Sequence, residues 1–169
     1  MSKSNNSSSK NSSDERATPP WLIRRIRNAT NGIDLDVAAG AERIQIAEER
    51  YTIEDDGLSS PWYGTVWCNP PYSEPKKWVH QAIDEFDEDD DDLFIFLVKG
   101  DCSTEWWNDL NNHASCVCLI NQRLSFGKER SSAPFSSHIF VMGEPSDKLK
   151  GVLEDLGAVV STQTQEVSK

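Results

Sequence analysis

Basic residues are scarce in this chain. Seventeen Lys and Arg stand against twenty-eight Asp and Glu in 169 residues, a formal net charge of −11. A nucleic-acid binder that works by bulk attraction needs a basic footprint, so that class is excluded at ordinary salt. Either the protein does not touch nucleic acid, or it works where salt screens its charge; at ~1 M salt the Debye length is roughly 3 Å. A salt-accumulating, halophilic cytoplasm favours such a surface. Long apolar runs are missing too. The longest is Leu93–Val98, too short for a membrane-spanning helix. No charged start precedes an apolar stretch and a cleavage site, so no signal peptide is expected and the protein should stay in the cytoplasm where it is made. Cysteine is sparse: Cys68, Cys102, Cys116 and Cys118. Cys116 and Cys118 have strand spacing, which sets both on one face. No second Cys or His pair has zinc-like spacing, and His80, His113 and His138 are scattered. Reduced thiols in a core, with neither metal nor disulfide, are the expectation.

What is present suits one modest core, with 37% hydrophobic residues, and one domain. Residues 1–17 are Ser- and Asn-rich and cannot offset their ordering entropy by burial, so they read as a disordered tail before a single domain over 18–169. Thr18-Pro19-Pro20 reads as a helix start with a capping hydroxyl, and Asn31-Gly32 as its end. Ile33–Ala38 reads as a short strand and residues 41–50 as weakly helical. Thr65–Cys68 is a short apolar run. Glu74–Phe86 has the helical spacing of Trp78, Val79, Ala82, Ile83 and Phe86. Asp87–Asp92 is an unbroken acidic run, read as a solvated loop. Leu93–Val98 is apolar on both faces and so should be a central, parallel strand. A helix over 103–112, strands at Cys116–Ile120 and His138–Met142, a helix over 146–156 and an edge strand near 158–160 follow. Strands alternating with helices predict an abbreviated doubly wound α/β fold with a mostly parallel sheet and helices on both faces.

The segment with the most chemical content is Asn69-Pro70-Pro71-Tyr72, between an apolar run and a helix. In such sheets ligands bind beyond the carboxyl ends of the strands. Two prolines stiffen the loop and remove two donors, which leaves it rich in carbonyl acceptors. The Asn69 side chain and the Pro70 carbonyl can accept both hydrogens of an exocyclic amino group, while Tyr72 stacks on the ring that bears it. Holding both hydrogens helps align the nitrogen lone pair with an electrophile, and no strong base is needed. That chemistry fits methyl transfer from a sulfonium, where geometry supplies much of the rate.

The tetrapeptide resembles the catalytic signature of amino-group methyltransferases. With Thr18-Pro19 and Trp21-Leu22-Ile23, Asp34-Leu35-Asp36-Val37-Ala38-Ala39, Tyr51-Thr52 leading to Asp55-Asp56-Gly57-Leu58, and Trp62-x-Gly64-x-Val66-Trp67-Cys68, the chain from Thr18 to Met142 is similar to the phage-type DNA adenine-N6 methyltransferase family. The acidic composition adds an expected source in a haloarchaeal virus or provirus. The resemblance implies S-adenosylmethionine as cofactor and a sheet of that methyltransferase type. It implies catalytic roles for Asn69, Pro70, Pro71 and Tyr72. It implies that the cofactor's methionine end lies beside Asp36, Ala38 and Gly40 and under Thr18 and Pro19. Asp34 or Asp36 would hold its ammonium, and Asp55 or Asp56 would accept from its adenine amino group. A β-turn is the other reading of Asp55-Asp56-Gly57. The first cofactor motif lacks the fuller Phe-x-Gly-x-Gly form, and the ribose acid could be Glu48 or Glu49.

No segment remains for a separate target-recognition domain. DNA carrying a flipped-out adenine is the implied partner, with backbone contacts expected from Arg24, Arg25, Arg27, Lys76, Lys77, Arg123, Lys128 and Arg130. Phe126, in the polar loop 122–130, is a candidate strand-grasping residue. Trp106 and Trp107 read as core. Two other readings stand beside this one: an enzyme that methylates an amino group of RNA or protein, and a non-catalytic acidic protein that mimics DNA. The residues fix neither a recognition sequence nor an oligomeric state.

Overall fold

The computed structural model describes residues 17–40, 45–126 and 132–162. In chain order they form α1 (Pro20–Thr30), β1 (Leu35–Asp36), β2 (Glu49–Arg50), β3 (Thr65–Cys68), α2 (Pro75–Glu85), β4 (Leu93–Lys99), α3 (Glu105–His113), β5 (Cys116–Ile120), β6 (Ser137–Met142), α4 (Asp147–Leu156) and β7 (Gly157–Ser161). The strands make one sheet in the order β2-β1-β3-β4-β6-β5-β7. The expected tail, residues 1–17, falls outside the described residues except for Ala17. None of the helices is long and apolar enough to cross a membrane, among the described residues.

The sheet is mixed, which corrects the expectation of a mostly parallel one. The β2–β1, β1–β3 and β3–β4 pairs are parallel. The β4–β6, β6–β5 and β5–β7 pairs are antiparallel, and the two longest ladders, β4–β6 and β5–β7, are among them. Parallel neighbours need a crossover, usually a helix. No helix separates β5 from β6 among the described residues. β6 therefore runs back beside β5 and wedges between it and β4.

Helices cover both faces. Leu22, Ile26, Leu149 and Leu153 of α1 and α4 pack with Trp67, Ile95 and Leu97. Val79, Ala82 and Leu110 of α2 and α3 pack with Val66, Phe94 and Phe96 on the other side. Neighbouring residues of β3 and β4 thus serve opposite faces, as the strand period of two requires, and β4 is buried on both. Cys116 and Cys118 share the α4 face; Cys68, Cys116 and Cys118 are buried and Cys102 is exposed.

The amino-terminal half of the chain departs furthest from expectation. The α1 N-cap is Pro19, with no side-chain cap; its carbonyl takes the Leu22 and Ile23 N–H groups at 3.0 and 3.2 Å. Thr18 is not the cap. Residues 45–48 are not helical, 41–44 lie outside the described residues, and Glu49–Arg50 form β2. The first strand shrinks to Leu35–Asp36, and just before it the Asp34 carboxylate takes the Thr65 N–H at 2.7 Å at the start of β3.

From β1 the chain goes outward to β2, then returns across β1 to β3. The seam between β1 and β3 is where the strand order reverses, the place where open α/β sheets bind ligands at their carboxyl ends. Asp36 pairs with Trp67 across this seam, which brings the residues after Asp36 and after Cys68 side by side.

Candidate active site

Asp36 closes β1 and is only 6% exposed. Burial pushes its carboxyl up to about 6; the Ala38 N–H and the charge of Arg50 oppose that shift. The Ala38 contact is long, 3.4 Å. No cation forms an ion pair with Asp36 among the described residues. Beyond it the backbone is tied down: the Val37 N–H donates to the Trp67 carbonyl at 3.2 Å and the Ala39 N–H to the Tyr51 carbonyl at 3.0 Å. Gly40 ends this described segment. Asp34, the other ammonium candidate, lies at the opposite end of β1 with its carboxylate on Thr65, so the fold separates the two acids.

Asp55 and Asp56 lie in a turn, as one reading of that segment expected. Asp55 accepts from both the N–H and the hydroxyl of Thr52 at 2.8 Å, which holds its carboxyl below the usual range. Asp56 accepts from the Ser59 hydroxyl at 2.7 Å and takes a left-handed φ of 52°. The turn is nevertheless pressed against the site. A Cβ on Gly57 would lie 2.1 Å from the Val37 carbonyl oxygen, so only glycine allows this approach. The buried Trp62 indole N–H donates to the Gly57 carbonyl at 2.8 Å and anchors the turn in an aromatic cluster with Trp78, Phe94 and Phe96. Of the ribose candidates, Glu49 accepts from the Tyr63 hydroxyl at 2.6 Å, and Glu48 lines a cleft described below.

Asn69-Pro70-Pro71-Tyr72 follows β3 directly. The Pro71 carbonyl accepts from the Glu74 N–H at 3.2 Å and turns the chain into α2. No bond among the described residues uses the Pro70 carbonyl. Asn69 Nδ2 donates to the Thr18 hydroxyl oxygen at 3.2 Å, so the segment before α1 meets the loop after β3. The Tyr72 ring stands edge-on to Phe126 and Phe135, with centroids 6.2 and 5.3 Å away. The Lys99 ammonium, at the end of β4, lies 4.9 Å from the Phe135 centroid and 5.8 Å from that of Tyr72. Phe126, the candidate strand-grasping residue, is 3% exposed and packs edge-on to Tyr72. Phe135 and Lys99 were missed because neither belongs to a motif. Only the convergence of the β3, β4 and β6 ends brings them to Tyr72.

The fold sorts the basic candidates. Arg25 pairs with Asp155 at 2.8 Å, Lys76 with Glu105 at 2.8 Å and Lys77 with Glu74 at 2.7 Å, all at the surface. Arg24 and Arg27, with Lys148 of α4, line an open cleft of about 730 Å³ along α1, and none of the three takes part in an ion pair among the described residues. The cleft begins at Pro20, two residues from Thr18. Arg123 is exposed, while Lys128 and Arg130 lie outside the described residues. Trp106 and Trp107 are half-buried against the core, and the Trp107 indole donates to His138 Nδ1 at 3.1 Å.

A family model described as DNA N-6-adenine-methyltransferase (Dam) matches residues 4–163. The chain is 28% identical over 139 residues to a DNA N-6-adenine-methyltransferase of Escherichia phage T1, covering 80% of this chain and 57% of that protein. It is 31% identical over 129 residues to a DNA N-6-adenine-methyltransferase of Haemophilus phage HP1, covering 75% of this chain and 72% of that one. The chain therefore spans little more than half the length of the first relative.

Proposed function

Because the chain belongs to the DNA N-6-adenine-methyltransferase (Dam) family, we propose that it transfers a methyl group from S-adenosylmethionine to the N6 amino group of adenine in DNA. The observation that carries this reading is the position of Asn69-Pro70-Pro71-Tyr72, across the seam from a buried Asp36 that forms no ion pair among the described residues. A buried carboxylate without a cation is costly. An α-ammonium placed there would meet that need, so the residues fit the cofactor. Asp36 would hold the ammonium, the backbone of Ala38 to Gly40 would lie along the methionine part under Thr18 and Pro19, and the turn at Asp55 and Asp56 would face the adenine end.

When bound, S-adenosylmethionine supplies a methyl group on a sulfonium. Asn69 Oδ1 and the Pro70 carbonyl accept the two N6 hydrogens and set the nitrogen lone pair toward the methyl. Tyr72 stacks on the base, and Phe126 and Phe135 fix the angle of its ring. Transfer would form the nitrogen–carbon bond as the carbon–sulfur bond breaks to leave a neutral thioether, and the extra proton on nitrogen would then pass to water, so no side chain need remove a proton first. The base must leave the duplex, at a cost of a few kcal/mol. Arg24, Arg27 and Lys148 offer the strand backbone a cationic cleft, and Arg123 is exposed. Arg25, Lys76 and Lys77 are tied to acids by exposed pairs worth about 0–1 kcal/mol each, which phosphate can displace. The reading places the protein in the cytoplasm that holds the DNA, the host's if the source is viral. The −11 charge supports action at high salt, where short-range contacts outlast bulk repulsion.

The test is tritium transfer from S-adenosylmethionine to unmethylated DNA, RNA and protein across a potassium chloride series. Label recovered as N6-methyladenine in DNA supports the reading. Label only in RNA or protein, or none at any salt, overturns it.

A further inference from the structure

Lys99 ends β4 at the carboxyl edge of the sheet and is half-buried. Its ammonium lies over two aromatic rings, 4.9 Å from the Phe135 centroid and 5.8 Å from that of Tyr72. Among the described residues that ammonium takes part in no hydrogen bond and no ion pair. Ser137 stands directly opposite in the β4–β6 ladder, yet its buried hydroxyl has no hydrogen-bond partner either. Asp101, the acid nearest in sequence, turns its carboxylate to the Ser103 hydroxyl and N–H at 2.6 and 3.2 Å, which hold it below the usual range. Rings attract a cation only through their quadrupoles, and a charge-assisted hydrogen bond to an oxyanion is stronger. Lys99 thus stands beside the catalytic loop with its three donors unused, on a stem flexible enough to change partners.

Methyl transfer places positive charge near this loop twice, on the sulfonium and then on N6 as it takes the methyl. An ammonium aimed at those atoms would oppose the transfer, so its charge must serve another part of the substrate. A flipped nucleotide turns about its backbone. The phosphates on either side of it therefore stay within one nucleotide's reach of the ring that receives the base. We propose that Lys99 binds a DNA phosphate flanking the flipped adenine, exchanging the two rings for the phosphate as Tyr72 takes the base. The inference rests on the methyltransferase reading above. It adds a substrate contact at the catalytic loop itself, on a residue outside the cleft along α1.

The experiment maps an adenine that the protein methylates in a DNA duplex, then replaces the phosphates around it one at a time by neutral methylphosphonates. For the natural protein, neutralising one of the two flanking phosphates should raise KM about tenfold, the equivalent of one charge-assisted bond. Lys99→Met keeps the stem against Phe135 and removes the charge. It should raise KM about tenfold on unmodified DNA, but less than about twofold on DNA neutralised at that position, where the pair is already broken. Lys99→Arg should restore KM to within about twofold. The slope of log affinity against log salt should shrink by about one in Lys99→Met. Both kcat and the calorimetric affinity for S-adenosylhomocysteine should change about twofold or less. If Lys99→Met lowers the unfolding midpoint, Lys99→Gln takes its place in the same comparison. Equal losses on both DNAs, or an unchanged salt slope, would overturn the inference while leaving methyl transfer intact, as would a natural protein indifferent to both flanking phosphates. Absence of methyl transfer by the natural protein would instead overturn the functional reading. The salt slope of DNA binding, read by fluorescence anisotropy for the natural protein and Lys99→Met, would then still decide this one separately.

Discussion

The two sides of the sheet are built on different terms. On one side β2 and β1 are two-residue strands, held by backbone bonds, carboxylate caps and a turn pressed in by Gly57. On the other, β4, β6 and β5 are long, apolar and laddered in antiparallel. The long side gathers buried aromatic and aliphatic residues such as Phe140, Ile139 and Val117, each at most 3% exposed. The short side gathers acids and turn residues. Stability should therefore reside in the long side and ligand chemistry along the seam where the short side meets β3.

The largest expected effect tests the long side. Phe140 is fully buried and stands edge-on to Trp107 at 5.1 Å. Phe140→Ala should cost about 3–5 kcal/mol of stability, read as a lower denaturant midpoint with unchanged slope. A loss below about 1 kcal/mol would erase the contrast.

The seam comes next. Asn69→Ala should reduce kcat by about 10²–10³, as removal of one well-placed hydrogen-bonding group does elsewhere, while moving the unfolding midpoint little. Asn69→Ala that retained near-normal turnover, or that unfolded the protein, would place the residue in the wrong category.

A smaller effect concerns pH. The Asp36 carboxyl is pushed up to about 6, above its unfolded value of about 3.9. Burial of the charge thus weakens the ligand-free fold as pH rises from about 4 to about 6, and the penalty is then constant. Cofactor binding has the opposite sign. An ammonium needs the ionised form, so affinity for S-adenosylmethionine should fall up to tenfold per unit below about pH 6, and Asp36→Asn should be weaker and flatter across that range. Titration calorimetry from pH 5 to pH 8 checks both; an unchanged slope in Asp36→Asn would move the ammonium elsewhere.

The smallest effect belongs to the acidic run. Asp89, Asp90 and Asp91 are exposed, whereas Asp92 accepts from the Gly64 N–H at 2.7 Å and should be left intact. Changing the first three to Asn should shift the salt optimum of methylation downward without altering the product. An optimum that stayed in place would detach the run from salt tolerance.

What could be read in the sequence follows the same division. β3 and β5 are found at the expected residues, Thr65–Cys68 and Cys116–Ile120, because apolar runs mark buried strands directly. β2 was invisible, since Glu49 and Arg50 are polar, exposed and enter the sheet through backbone bonds alone. The reversal of β6 was legible in the missing helix before it, but the regular alternation upstream concealed it. At the site, the tetrapeptide stood out by residue type. Its support did not: Phe135, Lys99 and the Thr18 hydroxyl reach the loop only through long-range convergence.

The insertion of β6 between β4 and β5 also sets an order of events during synthesis. Both neighbours are made before β6; β4 can already pair with β3, but its other edge and β5 wait until Ser137–Met142 has left the ribosome. Until then the sheet is two pieces, and β4 carries an unpaired edge of Phe94, Ile95, Phe96, Leu97 and Val98. Such an edge recruits other chains as readily as its own. Completion of the sheet is thus gated by the second-last strand among the described residues, and a chain stalled shortly before Ser137 is the form most prone to aggregate.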